Sequence, residues 1–145
     1  MAATTKNLLF LCTGNACRSQ MAEALARDLL PAHVRCWSAG IVAHGMNPHV
    51  ATVMSELNIS LEGHYSKSVD ELPVSDVDVL VTVCGHAAES CPDFPAQQRI
   101  HQPFADPPKL ALDCDSDDSK LDCYRQVRDQ IATWLQQEPL QMALR

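Results

Sequence analysis

The sequence predicts an α/β fold: a single domain built on a four-stranded parallel sheet flanked by helices. Two observations carry this. Short apolar runs alternate along the chain with helix-length amphipathic runs, and such alternation calls for parallel strands joined by right-handed crossovers. The chain has 145 residues, 46% hydrophobic and 20% charged, which suits one core and is too apolar for a disordered segment.

Asn7–Leu11 reads as a buried strand. Ser19–Leu30 reads as a helix with Met21, Ala22, Leu25 and Leu29 on one face, stopped by Pro31. Val34–Ala39 is a second short strand, ending at Gly40. Asn47-Pro48 opens a helix over Pro48–Leu57, with Val50, Val53, Met54 and Leu57 apolar. Val69–Leu72 is a helical turn closed by Pro73. Val77–Val83 is rich in β-branched residues and gives the clearest strand signal. Arg99–Gln102 is a short fourth strand. Leu112–Leu121, with Asp113, Asp115, Asp117 and Asp118, reads as an exposed acidic loop. Leu121–Gln137 is a final helix with Val127, Ile131, Trp134 and Leu135 inward, and Pro139 lies beyond it. No internal repeat or linker interrupts the pattern.

Formal net charge is −7, from 18 acids and 11 bases, which disfavours nucleic acid and anionic membranes as partners. No run of 18 apolar residues exists, so no membrane span is expected. The N-terminus lacks the apolar stretch of a signal peptide, which points to the cytoplasm. No segment signals oligomerisation, so the expected state is a monomer. Seven cysteines are many for such a chain, and the number is odd. In a reducing compartment they suggest catalytic, redox or metal roles rather than a disulfide framework.

The stretch Cys12-Thr13-Gly14-Asn15-Ala16-Cys17-Arg18-Ser19 stands between the first strand and the first helix. A tight loop in that setting aims several backbone N–H groups at one spot, and the helix N-terminus adds partial positive charge. The spot binds a tetrahedral oxyanion, which Arg18 can hold through two parallel hydrogen bonds. Cys12 lies at the floor of that cup, where the same groups favour its thiolate as a nucleophile. Cys12 alone would carry little, because cysteine is common in cores; the whole setting gives it meaning. Ser19 is placed to cap the helix and to donate to the Cys12 sulfur. Asn15 can brace the loop, and Cys17 reads as a packing residue.

In α/β sheets the site lies beyond the carboxyl ends of the strands. Three loops follow strands here: residues 12–19, Cys84–Cys91 and Phe104–Pro108. Asp106, on a proline-flanked loop, can protonate a departing oxygen, although Asp-Pro is also a common turn. Cys84 and Cys91 flank a helix-compatible segment. If it is helical, the two lie roughly 10.5 Å apart along the axis, whereas a disulfide needs Cα atoms within about 7 Å. Pairing them requires the turn to unwind. Zinc on Cys84, Cys91, Cys114 and Cys123 is disfavoured by separations of seven and nine. A calcium loop from Asp113 fails because Asp118 stands where glycine belongs and Tyr124 where glutamate belongs. The six histidines are scattered surface or packing residues. No metal and no cofactor is expected.

These residues resemble the thioredoxin-coupled arsenate reductases of the low-molecular-weight tyrosine phosphatase superfamily. The resemblance spans nearly the whole chain. It is carried by residues 11–23, Ser38-Ala39-Gly40, Val81-Thr82-Val83-Cys84 through Cys91-Pro92, Asp106-Pro107 and Arg125–Ile131. The first motif alone fits phosphatase or reductase, and the Cys84/Cys91 pair selects the reductase.

The resemblance implies that arsenate binds the loop of Thr13, Gly14, Asn15, Ala16, Cys17, Arg18 and Ser19. Cys12 attacks arsenic while Asp106 protonates the leaving oxygen. Cys84 then attacks Cys12, releasing arsenite, and Cys91 moves the disulfide outward for thioredoxin, or glutaredoxin, to reduce. Phosphate inhibition and weak phosphatase activity are expected, because both anions are tetrahedral.

Some family members hold a potassium ion with an acidic residue following a His-x-Ser segment. Here His64-Tyr65-Ser66 is followed by Lys67, whose ammonium is expected to stand in for the cation. The alternatives are a tyrosine phosphatase, whose aromatic walls are missing beside Pro108-Lys109-Leu110, and a non-enzymatic thiol sensor, which would not need the anion cup.

Overall fold

A computed structural model describes residues 5–85 and 94–145. The described residues build four parallel strands in the order β2-β1-β3-β4. Strand β1 (Lys6–Cys12) is central, and Leu8 to Leu11 are fully buried. Four consecutive apolar side chains mark a strand covered on both faces. Its neighbours are β2 (Val34–Gly40) and β3 (Val77–Thr82), and β4 (Ala96–His101) forms the far edge. The expected parallel α/β architecture is therefore present.

Helix α1 (Arg18–Leu29) buries Met21, Ala22 and Leu25 against β1 and β2. Helix α2 (Pro48–Ser55) starts where the sequence places it: Asn47 Oδ1 accepts from His49 N at 2.9 Å as its N-cap. The expected helical turn is a 3-10 turn at Val69–Glu71. Helices α3 (Pro107–Ala111), α4 (Asp117–Leu135) and α5 (Leu140–Ala143) complete the described chain. Helix α4 packs on α1, α2 and α3. Arg128, 7% exposed, locks α4 to α2 by donating to Val53 O and Glu56 Oε1, both at 2.8 Å.

Three expectations need correction. The segment read as an acidic loop ends four residues early, because α4 begins at Asp117 rather than Leu121. Ser116 Oγ accepts from Ser119 N at 3.1 Å, and Asp117 and Asp118 favour the positive end of the helix. Strand β4 begins at Ala96, not Arg99, and the short helices α3 and α5 were not foreseen. No helix among the described residues is long and apolar enough to cross a membrane.

Candidate active site

The loop of residues 12–19 leaves β1 and enters α1 with its carbonyls turned outward. Cys12 O accepts from Ile41 N at 3.2 Å, Thr13 O from Val42 N at 3.1 Å, Gly14 O from His44 N at 2.9 Å and Ala16 O from Asn47 N at 3.1 Å. Ser66 Oγ also donates to Gly14 O at 3.0 Å. With the carbonyls held outward, the loop amides turn toward one centre beside the start of α1.

Two residues permit this path. Asn15 has φ 49, a left-handed conformation that asparagine tolerates. Gly40 lies so close beneath the loop that a Cβ there would sit 2.8 Å from both Asn15 N and Thr13 O. Gly40→Ala is therefore expected to destabilise the protein by about 1–3 kcal/mol, the usual cost of overpacking. Chemical denaturation measures it, and an unchanged midpoint would mean that the loop yields freely.

Asn15, fully buried, braces the cup as expected. Its Nδ2 donates to Ser19 Oγ at 2.8 Å and Ser38 Oγ at 3.0 Å. Its Oδ1 accepts from Gln20 Nε2 and from Lys67 N, both at 2.9 Å. Ser19 Oγ, which accepts from Asn15, lies 3.0 Å from Cys12 Sγ, where its hydroxyl can donate to a Cys12 thiolate. The other role expected of Ser19 is not observed. Cys17 is the N-cap of α1 and makes no side-chain cap, while Ser19 lies inside the first turn. The helix starts one residue earlier than the pattern implied, which turns the Ser19 hydroxyl toward the sulfur. Ser19→Ala is expected to slow iodoacetamide alkylation of Cys12 several-fold; an unchanged rate would remove Ser19 from nucleophile activation. Cys17 is buried, and burial pushes its thiol far up, which suits packing.

Cys84 meets the loop. Leu11 pairs with Thr82, and Val83 N donates to Leu11 O at 3.0 Å, so the next step along β3 reaches Thr13. Thr13 Oγ1 and Cys84 Sγ are 3.3 Å apart. Cys12 and Cys84 are 4% and 2% exposed, inside the protein at adjacent strand ends. Cys91, and the segment 86–90 expected to unwind, lie outside the described residues.

The loop after β4 arrives from the other side. Arg18 Nη1 donates to Phe104 O at 3.0 Å, and Nη2 is 3.9 Å from Asp106 Oδ1. Asp106 stands at the start of α3 with no capping bond of its own. The 12–18 loop and the loop after β4 thus converge at one sheet edge around a cavity of about 180 Å³, and Cys84 adjoins the first of them through Thr13. The 12–18 loop floors it, and His44, Asn47, Asp106 and Pro108 complete its walls. Sequence reasoning missed His44 as a wall and saw Asn47 only as a helix start. Asn47 is held in place by its Nδ2 bond to Tyr124 Oη at 3.0 Å. A larger, shallower depression of about 690 Å³ lies between the 102–105 loop and α4, but among the described residues no cysteine lines it.

Behind the loop sits a charged cluster. Glu23, 3% exposed, accepts from Ser38 Oγ and pairs with Arg27 Nη2 at 2.6 Å. Lys67 Nζ is 4.0 Å from Glu23 Oε1 and donates to Tyr65 O at 3.2 Å. Burial lowers the Lys67 pKa, while Glu23 opposes that shift.

Burial also lowers His64 below its ordinary 6.5, and the Glu23 carboxylate 3.9 Å away counters it. The folded protein therefore holds His64 neutral where the unfolded chain binds a proton. That contribution is present above 6.5 and is lost as pH falls through the lowered folded value. His64→Gln is expected to flatten this part of the stability–pH curve, measured by urea unfolding between pH 5 and 7.5; a curve of unchanged slope would contradict it.

Residues 7–137 match the family described as low molecular weight phosphotyrosine protein phosphatase. An arsenate reductase of Halalkalibacterium halodurans is 42% identical over 127 residues, 87% of this chain and 89% of that protein. An arsenate reductase of Bacillus subtilis is 38% identical over 133 residues, 91% of this chain and 94% of that one. Among solved structures, an arsenate reductase in the phosphate-binding state superimposes with a TM-score of 0.77 at 25% identity, covering 97% of this chain and all of that one.

Proposed function

Because the chain belongs to the low-molecular-weight phosphotyrosine protein phosphatase family, among relatives that are arsenate reductases, we propose that it reduces arsenate to arsenite by a three-cysteine relay. The observation that supports this most is the contact between Thr13 and Cys84, which brings a second thiol to the anion loop. Hydrolysis of a phosphate ester has no use for that thiol.

Arsenate occupies the cup, held by the loop amides and Arg18. Cys12 Sγ attacks arsenic, and Asp106 protonates the departing oxygen, which leaves as water. Cys84 Sγ then attacks Cys12 Sγ. The sulfur–arsenic bond breaks with its electron pair going to arsenic, which becomes trivalent and leaves as arsenite. The two thiols have lost two electrons and share a disulfide. That disulfide is buried with Cys84, beyond the reach of a protein reductant. Cys91 attacks Cys84, freeing Cys12 and carrying the oxidation outward. A dithiol protein, thioredoxin or alternatively glutaredoxin, reduces the Cys84–Cys91 bridge.

The cavity favours this reading over a tyrosine phosphatase. No phenylalanine, tyrosine or tryptophan lines it among the described residues, so a phenol ring would find no stacking wall. Lys67 supports the expected independence from potassium, because its ammonium already lies beside Glu23. Potassium is expected to leave turnover unchanged, and strong activation would refute this role.

Purified protein with arsenate, thioredoxin, thioredoxin reductase and NADPH is expected to consume NADPH only when arsenate is present. No arsenate-dependent loss with either thioredoxin or a glutaredoxin–glutathione system would refute the function. Asp106→Asn is expected to slow single-turnover arsenite release by about 10²–10⁴-fold, the usual contribution of a general acid. A change smaller than twofold would take Asp106 out of the mechanism.

A further inference from the structure

Two cysteines that the relay does not use face each other at the far end of α3. Cys114 lies in the turn after that helix, its amide donating to Ala111 O at 3.1 Å. Cys123 lies in the second turn of α4, with its Sγ 3.5 Å from Ser119 O. The two sulfurs are 3.6 Å apart, unbridged and half-buried, so solvent and small solutes reach them. The capping box of Ser116 and Ser119 fixes the turn that sets their spacing.

We infer that Cys114 and Cys123 form a second arsenic site, a dithiol that captures trivalent arsenic. The spacing suits a bridging atom better than a bond. A disulfide would require the sulfurs to close to about 2.05 Å. An atom bonded to both at about 2.3 Å, as sulfur bonds to zinc, would span 3.6 Å with an angle of roughly 100°.

The number of donors selects the element. Zinc asks for four ligands, and no group of three or more His, Cys, Asp or Glu donors suited to a metal exists among the described residues. Trivalent arsenic is satisfied by two sulfurs and one hydroxyl. The step is a ligand exchange: arsenious acid, As(OH)3, loses two hydroxyls, each leaves as water with one thiol proton, and two sulfur–arsenic bonds form. Arsenic stays trivalent and no oxidant is needed. The choice of ligand rests on the proposed reaction, whose product is arsenite.

The test uses the full chain carrying Cys12→Ser, Cys84→Ser and Cys91→Ser, which removes the relay thiols. With sodium arsenite, native mass spectrometry should show one arsenic per chain, and a further Cys123→Ser should abolish the adduct. In the unaltered chain, arsenite should protect Cys114 and Cys123 together from iodoacetamide, read by peptide mass spectrometry, which guards against misfolded variants. Absence of both adduct and protection, or an adduct that survives Cys123→Ser, overturns the site. Arsenate-dependent NADPH loss by the unaltered chain is scored separately. Turnover without the adduct sinks the second site alone, and the adduct without turnover sinks the reductase reading alone.

Discussion

Replacing Cys12 with serine is expected to abolish arsenate reduction while leaving the fold intact. The hydroxyl nearly matches the thiol in shape and stays within reach of Ser19, whose Oγ is 3.0 Å from the native sulfur. Oxygen cannot take the place of sulfur in a disulfide, so the two electrons that arsenic requires have no source. The cup itself does not depend on the sulfur, since its carbonyls are tied to residues 41–47 and its centre to Asn15. Phosphate should therefore still bind Cys12→Ser, measured by isothermal titration calorimetry, although NADPH consumption falls to background. Continued turnover would show that the nucleophile is another thiol.

Replacing Cys84 with serine is expected to separate two chemistries. Reduction requires a thiol that can attack the Cys12–arsenic adduct, and Cys84 is the described thiol in contact with the loop through Thr13. Catalytic arsenate reduction should vanish. Any hydrolysis of p-nitrophenyl phosphate needs only Cys12, Arg18 and Asp106, and it should persist within a factor of a few. Serine preserves a hydrogen-bonding partner for Thr13 Oγ1, which limits structural damage. Loss of both activities would assign Cys84 to the architecture of the loop, and loss of neither would leave the relay without its second member.

The parts of this protein legible in its sequence are those set by local pattern. Leu8–Leu11 announces a central strand because all four side chains are apolar and all four are buried. Cys12, Arg18, Cys84 and Asp106 could be placed together because each follows the carboxyl end of a strand, where α/β sheets gather their loops. Strand β4 was partly hidden because it is an edge strand: Gln97, Gln98 and Arg99 are exposed, so no apolar alternation marks its start. Helix α3 was hidden by Pro107-Pro108, which reads as a breaker although proline is well suited to a first helical turn. The aspartates before Leu121 looked like a solvated loop, yet Ser116 followed by two acids is a helix start.

Within the site, His44 left no local signature. It is placed by a hydrogen bond from its amide to Gly14 O, thirty residues back in the chain. A Cβ on Gly14 would collide with its ring, a closeness that no spacing rule reveals. Glu23 was likewise read as part of a motif rather than as the acceptor at the centre of a buried cluster. That cluster draws on Arg27, Ser38 and Lys67 from separate segments.

The relay is tested most directly in Cys91→Ser protein mixed with excess arsenate and a complete thioredoxin system. The account predicts about one arsenite per chain and then arrest, with peptide mass spectrometry showing Cys12 joined to Cys84. Sustained turnover in this variant, or arrest without a Cys12–Cys84 bridge, would contradict it.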